Sequence, residues 1–140
     1  MWLEQAVDNR LSEFLPEIPD TQTLWHAVIK DGKIVSRDIL IDYDTRGIRP
    51  NDARFHATAD GRLFVIFSCY ELDHQIGNRL LEIYPDGTHS ESVKLNLKTP
   101  LEVFTNAGQR NGSLPSPYLD ILGAPHWDGD LLNYVRIKLE

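Results

Sequence analysis

From Thr23 onward, apolar and polar residues alternate along much of the chain. LWHAVIK and IVSRDILID flank Asp31-Gly32, and RFHATA and RLFVIFSCY flank Asp60-Gly61. RLLEIY and ESVKLNL flank Pro85-Asp86-Gly87, and YLDILGA and LLNYVRIKL flank a segment containing Asp128-Gly129. Successive strand side chains point to opposite faces, so such runs predict strands. Each Asp-Gly supplies the positive φ of a tight turn, and the pattern predicts four hairpins in series, an antiparallel meander. Upstream the period changes. Leu3, Val7, Leu11 and Phe14 recur at steps of four, four and three, with Trp2, Ala6 and Leu15 beside them, which predicts an amphipathic helix ended by Pro16. The expected architecture is a single all-β domain over residues 1–140, with an N-terminal helix at 1–16 and a β-meander at 23–140. The apolar face of the helix is expected to cover an edge or mouth of the strands.

An internal echo refines this topology. VIKDGKIVSRDILI and EIYPDGTHSESVKLNL each join an apolar strand, an Asp-Gly turn and a second alternating strand, with the turns 55 residues apart (31 to 86). Propeller repeats run ~40–50 residues, and the loops DTRGIRPNDA and ELDHQIGN absorb the excess. On this alignment the chain holds the outer hairpin of one blade, a full blade at residues 53–98, and most of a third. A sandwich or open meander whose turns merely share residue types is the alternative.

ARFHATADGRLFVIF, NRLLEIYPDG and AGQRNGSLPSPYLDILG together resemble sialidase-like, BNR-repeat β-propellers, including those associated with polysaccharide lyases and other glycan-processing enzymes. The likeness spans roughly residues 24–139. Thr58-Ala59-Asp60-Gly61 is similar to the Asp-box turn of such blades, although it is one residue short between Asp and Gly and matches the usual aromatic only loosely, with Phe64. The resemblance implies a partial propeller of about three blades, a structural role for that turn, and carbohydrate-related ancestry. It carries over no catalytic residue, because neither the arginine triad nor the Tyr/Glu nucleophile pair of a sialidase is recognisable. A partial propeller leaves unpaired sheet edges, so copies of the chain are expected to assemble into a homo-oligomer that closes them.

Several side chains are candidates for ligand chemistry. Arg54, His56 and Thr58 share one face of RFHATA, opposite Ala53, Phe55 and Ala57. An arginine fork suits a carboxylate and a histidine donates or accepts near neutral pH. Arg54 and His56 are therefore candidates to hold a uronic or sialic acid; pairing of Arg54 with Asp52, and of His56 with a loop carbonyl, is the structural alternative. Arg110 lies in the glycine-flanked stretch NAGQRNGSLPS with Asn111 and Ser113, either a binding loop or a long turn. Tyr70 and Glu71 end LFVIFSCY beside Asp73 and His74, a setting for a lyase-type proton transfer or for ordinary rim packing. Trp127, in GAPHWDGD, offers an indole face to a pyranose where exposed; Tyr118 and Trp25 offer the same chemistry, Trp25 reading as core.

Composition removes other classes. Fourteen Lys and Arg against twenty-one Asp and Glu give a net charge of −7 without a dense basic cluster, which argues against a nucleic-acid partner. No stretch approaches the ~18 apolar residues that span a bilayer. MWLEQAVDNR is not a signal peptide, so a chain complete as written is expected in the cytoplasm. The single cysteine, Cys69, excludes an internal disulfide and reads as a buried thiol. The histidines at 26, 56, 74, 89 and 126 fall in separate segments, and Asp42 and Asp44 lack further carboxylates, so no metal or cofactor is expected. The expected function is recognition of carbohydrate, acidic sugars included, without a catalytic constellation. A glycan lyase or glycosidase component and a protein-interaction scaffold are the alternatives.

Overall fold

The computed structural model describes residues 2–5, 14–15, 22–42, 47–71, 74–106 and 116–139. Every regular element among these residues is a strand: β1 (Trp2–Gln5), β2 (Gln22–Lys30), β3 (Lys33–Asp42), β4 (Arg49–Ala57), β5 (Leu63–Tyr70), β6 (Ile76–Ile83), β7 (Val93–Leu95), β8 (Val103–Asn106), β9 (Tyr118–Ala124) and β10 (Asn133–Lys138). They form three antiparallel sheets in chain order, β1-β2-β3, β4-β5-β6-β7 and β8-β9-β10. The four expected hairpins therefore exist, distributed over three sheets, and the central four-stranded sheet stands where the sequence echo placed a full unit at 53–98.

The central sheet has an apolar core on each face. Val65, Phe67 and Cys69 of β5, with Leu81 and Ile83 of β6, pack on Leu24, Leu40 and Ile41 of the first sheet. Ile66, between them in sequence and so on the opposite side, packs with Leu101, just before β8, and with Phe104, Leu119 and Ile121 of the third. Burying each such side chain contributes about 1.5–3 kcal/mol. The Cys69 thiol lies in the first core, where burial pushes its pKa up to about 11.

Turn chemistry follows sequence closely at three places. Asp31 and Gly32 both have positive φ, 51° and 73°, as a two-residue turn between paired Lys30 and Lys33 requires. The Thr58–Arg62 turn has a different plan. Thr58 N donates to Arg62 O at 2.9 Å, Gly61 N donates to Thr58 O at 3.0 Å, and Gly61 takes the left-handed position. The Thr58 hydroxyl also bonds the Asp60 carboxylate and accepts from Arg62 N, so hydroxyl and carboxylate tie this hairpin down. Tyr84–Thr88 repeats the plan, with Tyr84 N to Thr88 O at 2.8 Å and Gly87 N to Tyr84 O at 3.0 Å. The structural echo is thus between the turns at 60 and 86, not those at 31 and 86.

Four expectations need correction. Trp2–Gln5 begin no helix; they pair with Gln22–Trp25 as β1. Pairing with a neighbouring strand satisfies their backbone groups directly. Phe14 and Leu15, expected on a buried helical face, are exposed; residues 6–13 of the expected helix lie outside the described residues. Asp128-Gly129 makes no two-residue hairpin turn, because Gly129 N closes a local turn on His126 O inside a longer connection. Trp25 is half-buried rather than core, with the Arg37 guanidinium 3.9 Å over its ring.

Candidate functional site

Two polar clamps hold the segment entering β8 against the central sheet. Asn78, buried on β6, pairs with Leu101 as another strand would: its Nδ2 donates to Leu101 O at 2.9 Å and its Oδ1 accepts from Leu101 N at 2.7 Å. Ser68 Oγ on β5 donates to Glu102 O at 2.6 Å and accepts from Asp52 N at 3.1 Å. These bonds satisfy polar groups that would each cost about 1–3 kcal/mol if buried alone. Glu102 is fixed as a result, with its N donating to Ala124 O at 2.9 Å.

The Glu102 side chain reaches an open cleft of about 620 Å³ at one end of the second and third sheets. Tyr70 supplies one wall from the end of β5, with His74 and Gln75 from the following turn. Pro125, His126, Trp127 and Asp128 come from the β9–β10 connection. Glu102 is only 7 % exposed, whereas Trp127 is 77 % exposed. The Tyr70 hydroxyl donates to Glu102 Oε1, and Trp127 N donates to Oε2 at 3.1 Å. His126 Nδ1 stands 3.8 Å from the same oxygen, outside hydrogen-bond range. The bond to Glu102, then burial, pushes the Tyr70 phenol above its usual pKa.

His74 shows how the turn shapes this wall. His74 N donates to Glu71 O at 2.8 Å and Glu71 N donates to Gln75 O at 3.0 Å, the plan of the turns at 60 and 86. Here a histidine occupies the left-handed position, at φ 59°, where those turns use glycine. A side chain with a Cβ is disfavoured there, so the imidazole is placed on the cleft at some conformational cost.

The structure brings two sequence candidates together, Tyr70 and Trp127. Arg54 and His56 lie elsewhere, on β4. Arg54 Nη1 bonds the Asp52 carboxylate and the Ala53 carbonyl, the latter at 2.8 Å. His56 is 2 % exposed, with Nε2 at 3.2 Å from Ser116 O. Arg110 lies outside the described residues. Glu102 escaped sequence reasoning; its signal was an acid set inside the apolar run LEVF, since a buried ionisable residue has a partner or a task. Among the described residues, no group of three or more His, Cys, Asp or Glu could hold a metal ion. Searches against protein families, curated proteins and solved structures found no match to this chain.

Proposed function

We propose that this protein is a carbohydrate-recognising module whose binding site is the Trp127 cleft. The observation that carries the reading is an exposed indole at the mouth of a cleft whose floor is a buried, oriented carboxylate. An apolar pyranose face stacks on Trp127, and Glu102, Gln75 and the two histidines exchange hydrogen bonds with its hydroxyls. The partial-propeller reading belongs to this proposal. Its support is the stacking of three successive antiparallel meanders, with cores on both faces of the middle one.

Acidic sugars draw less support from this cleft than from sequence alone. Among the described residues its lining includes Glu102 and Asp128 but no lysine or arginine. Neutral and acidic oligosaccharides titrated into the full chain, followed by calorimetry and tryptophan fluorescence, test the proposal. Saccharide binding that Trp127→Ala abolishes is the expected result. Absence of binding to every sugar at millimolar concentration overturns it, and release of sugar products would move the reading to the glycan lyase or glycosidase alternative.

A second observation favours self-association alongside binding. Ile29, Ile34 and Ile39 of the first sheet and Leu122 and Tyr134 of the third are exposed, although each is a large apolar side chain. Packing the outer sheets of two copies covers such surface. Light scattering across a concentration range gives a dimer or larger species on this reading, and a concentration-independent monomer rejects it.

A further inference from the structure

We infer that the cleft selects ligands bearing an ammonium group; that the ammonium compound is an amino sugar rests on the carbohydrate reading above. The charge and ring chemistry of the lining carry the inference. Glu102 places a carboxylate at the floor, and the donors on its two oxygens, the Tyr70 hydroxyl and the Trp127 amide, are neutral groups. The His126 imidazole lies 3.8 Å from Oε2, at ion-pair distance but beyond hydrogen-bond range, on an exposed side chain. Asp128 adds a second acid next to Trp127. The Arg49 guanidinium is set over the Tyr70 ring, 5.0 Å from its centroid.

A cation entering this cleft meets the residual lone pairs of Glu102, the charge of Asp128 and the exposed face of Trp127, while the Tyr70 ring already carries the Arg49 guanidinium. Carboxylates and electron-rich rings both favour a positive group, more strongly where water is partly excluded. An N-acetylated or hydroxyl group at the same position offers no charge, and a sugar carboxylate is repelled. The chain's net charge of −7 acts in the same direction at longer range.

The test titrates the full chain with three oligosaccharides of equal length, made of glucosamine, N-acetylglucosamine and glucose, and with choline. The expected result is glucosamine binding about tenfold tighter than either neutral sugar, a preference weakened by added salt. Glu102→Gln should remove most of that preference while leaving stacking on Trp127. Asp128→Asn, at an exposed position, is the second variant and reduces the preference without disturbing the Glu102 floor. Equal affinity for the three sugars overturns the ammonium inference and leaves the carbohydrate reading standing. Choline bound as tightly as glucosamine, with neither neutral sugar bound, upholds the ammonium chemistry and overturns the carbohydrate reading. No binding by any probe overturns both.

Discussion

Tyr70 and Glu102, 32 residues apart in sequence, are joined by a hydroxyl–carboxylate bond that ties the end of β5 to the entrance of β8. The same bond orients the floor of the cleft, so structure and binding share one interaction. Tyr70→Phe should cost about 1.5–3 kcal/mol in chemical denaturation, the range for a hydrogen bond to a charged group. It should also weaken saccharide binding, because Glu102 loses one of the two donors that fix it.

The alkaline limb of stability follows from the same pair. Glu102 raises the Tyr70 phenol above its ordinary 10.0, and Asp120 does the same to Tyr134. Above pH 10.0 the folded state therefore holds these protons longer than the unfolded state. Their contribution is fully present below that pH and is lost as pH rises through the folded values. Ultraviolet phenolate titration should show late-ionising tyrosines, one fewer in Tyr70→Phe.

On the acid side the sign reverses. The Arg62 guanidinium, with bonds of 2.8 and 2.7 Å, holds Glu82 below its ordinary 4.5, and Arg136 with Tyr134 holds Asp120 below 3.8. The unfolded chain protonates first, so this stability is present above those ordinary values and disappears as pH falls through the folded ones. Glu82→Gln should be less stable at neutral pH and show a shallower acid loss. Denaturation midpoints measured between pH 2 and pH 6 check it.

Gly123 and Gly77 make a contrasting pair. A Cβ on Gly123 would lie 2.5 Å from Val103 O and 2.6 Å from Phe104 Cβ, in the β8–β9 pairing that supports the cleft. At Gly77 it would meet the movable end of Glu71, at 2.9 Å. Gly123→Ala should cost about 1–3 kcal/mol or prevent folding, and Gly77→Ala should cost much less. Thermal denaturation of both variants decides the order.

His74 carries a local strain that glycine would relieve. His74→Gly should raise stability by up to about 1 kcal/mol, since the left-handed conformation favours glycine, whereas His74→Ala should not. If the imidazole faces ligand in the cleft, the stabler variant should bind saccharide more weakly, a separation that calorimetry on both variants measures.

The hairpins were legible because Asp-Gly turns and alternating strands are local signals: β2–β3, β4–β5 and β6–β7 fall where their Asp-Gly turns place them, and β9–β10 where alternation alone does. The partition into three sheets follows the division drawn from the internal echo, with β4–β7 where a four-stranded unit was expected at 53–98, while the added strand β1 was not legible because a helical period covered it. β8 was hidden in the short run VFTN, which pairs with β9 and follows a segment that Asn78 and Ser68 hold to the central sheet. Of the site, Trp127 was legible through its polar, glycine-containing loop and Tyr70 through its strand end. Glu102 required knowledge of a contact 32 residues away in sequence.

The run LFVIF, at 63–67 in β5, contributes to a core on each side of the central sheet. In the folded protein that double burial makes the strand a keystone. Released from it, the same stretch has no charge, no proline and no glycine, the composition from which steric zippers assemble. Loss of either outer sheet would thus uncover the segment of greatest aggregation hazard, and Arg62, immediately before it, stands as a charged gatekeeper at its entrance.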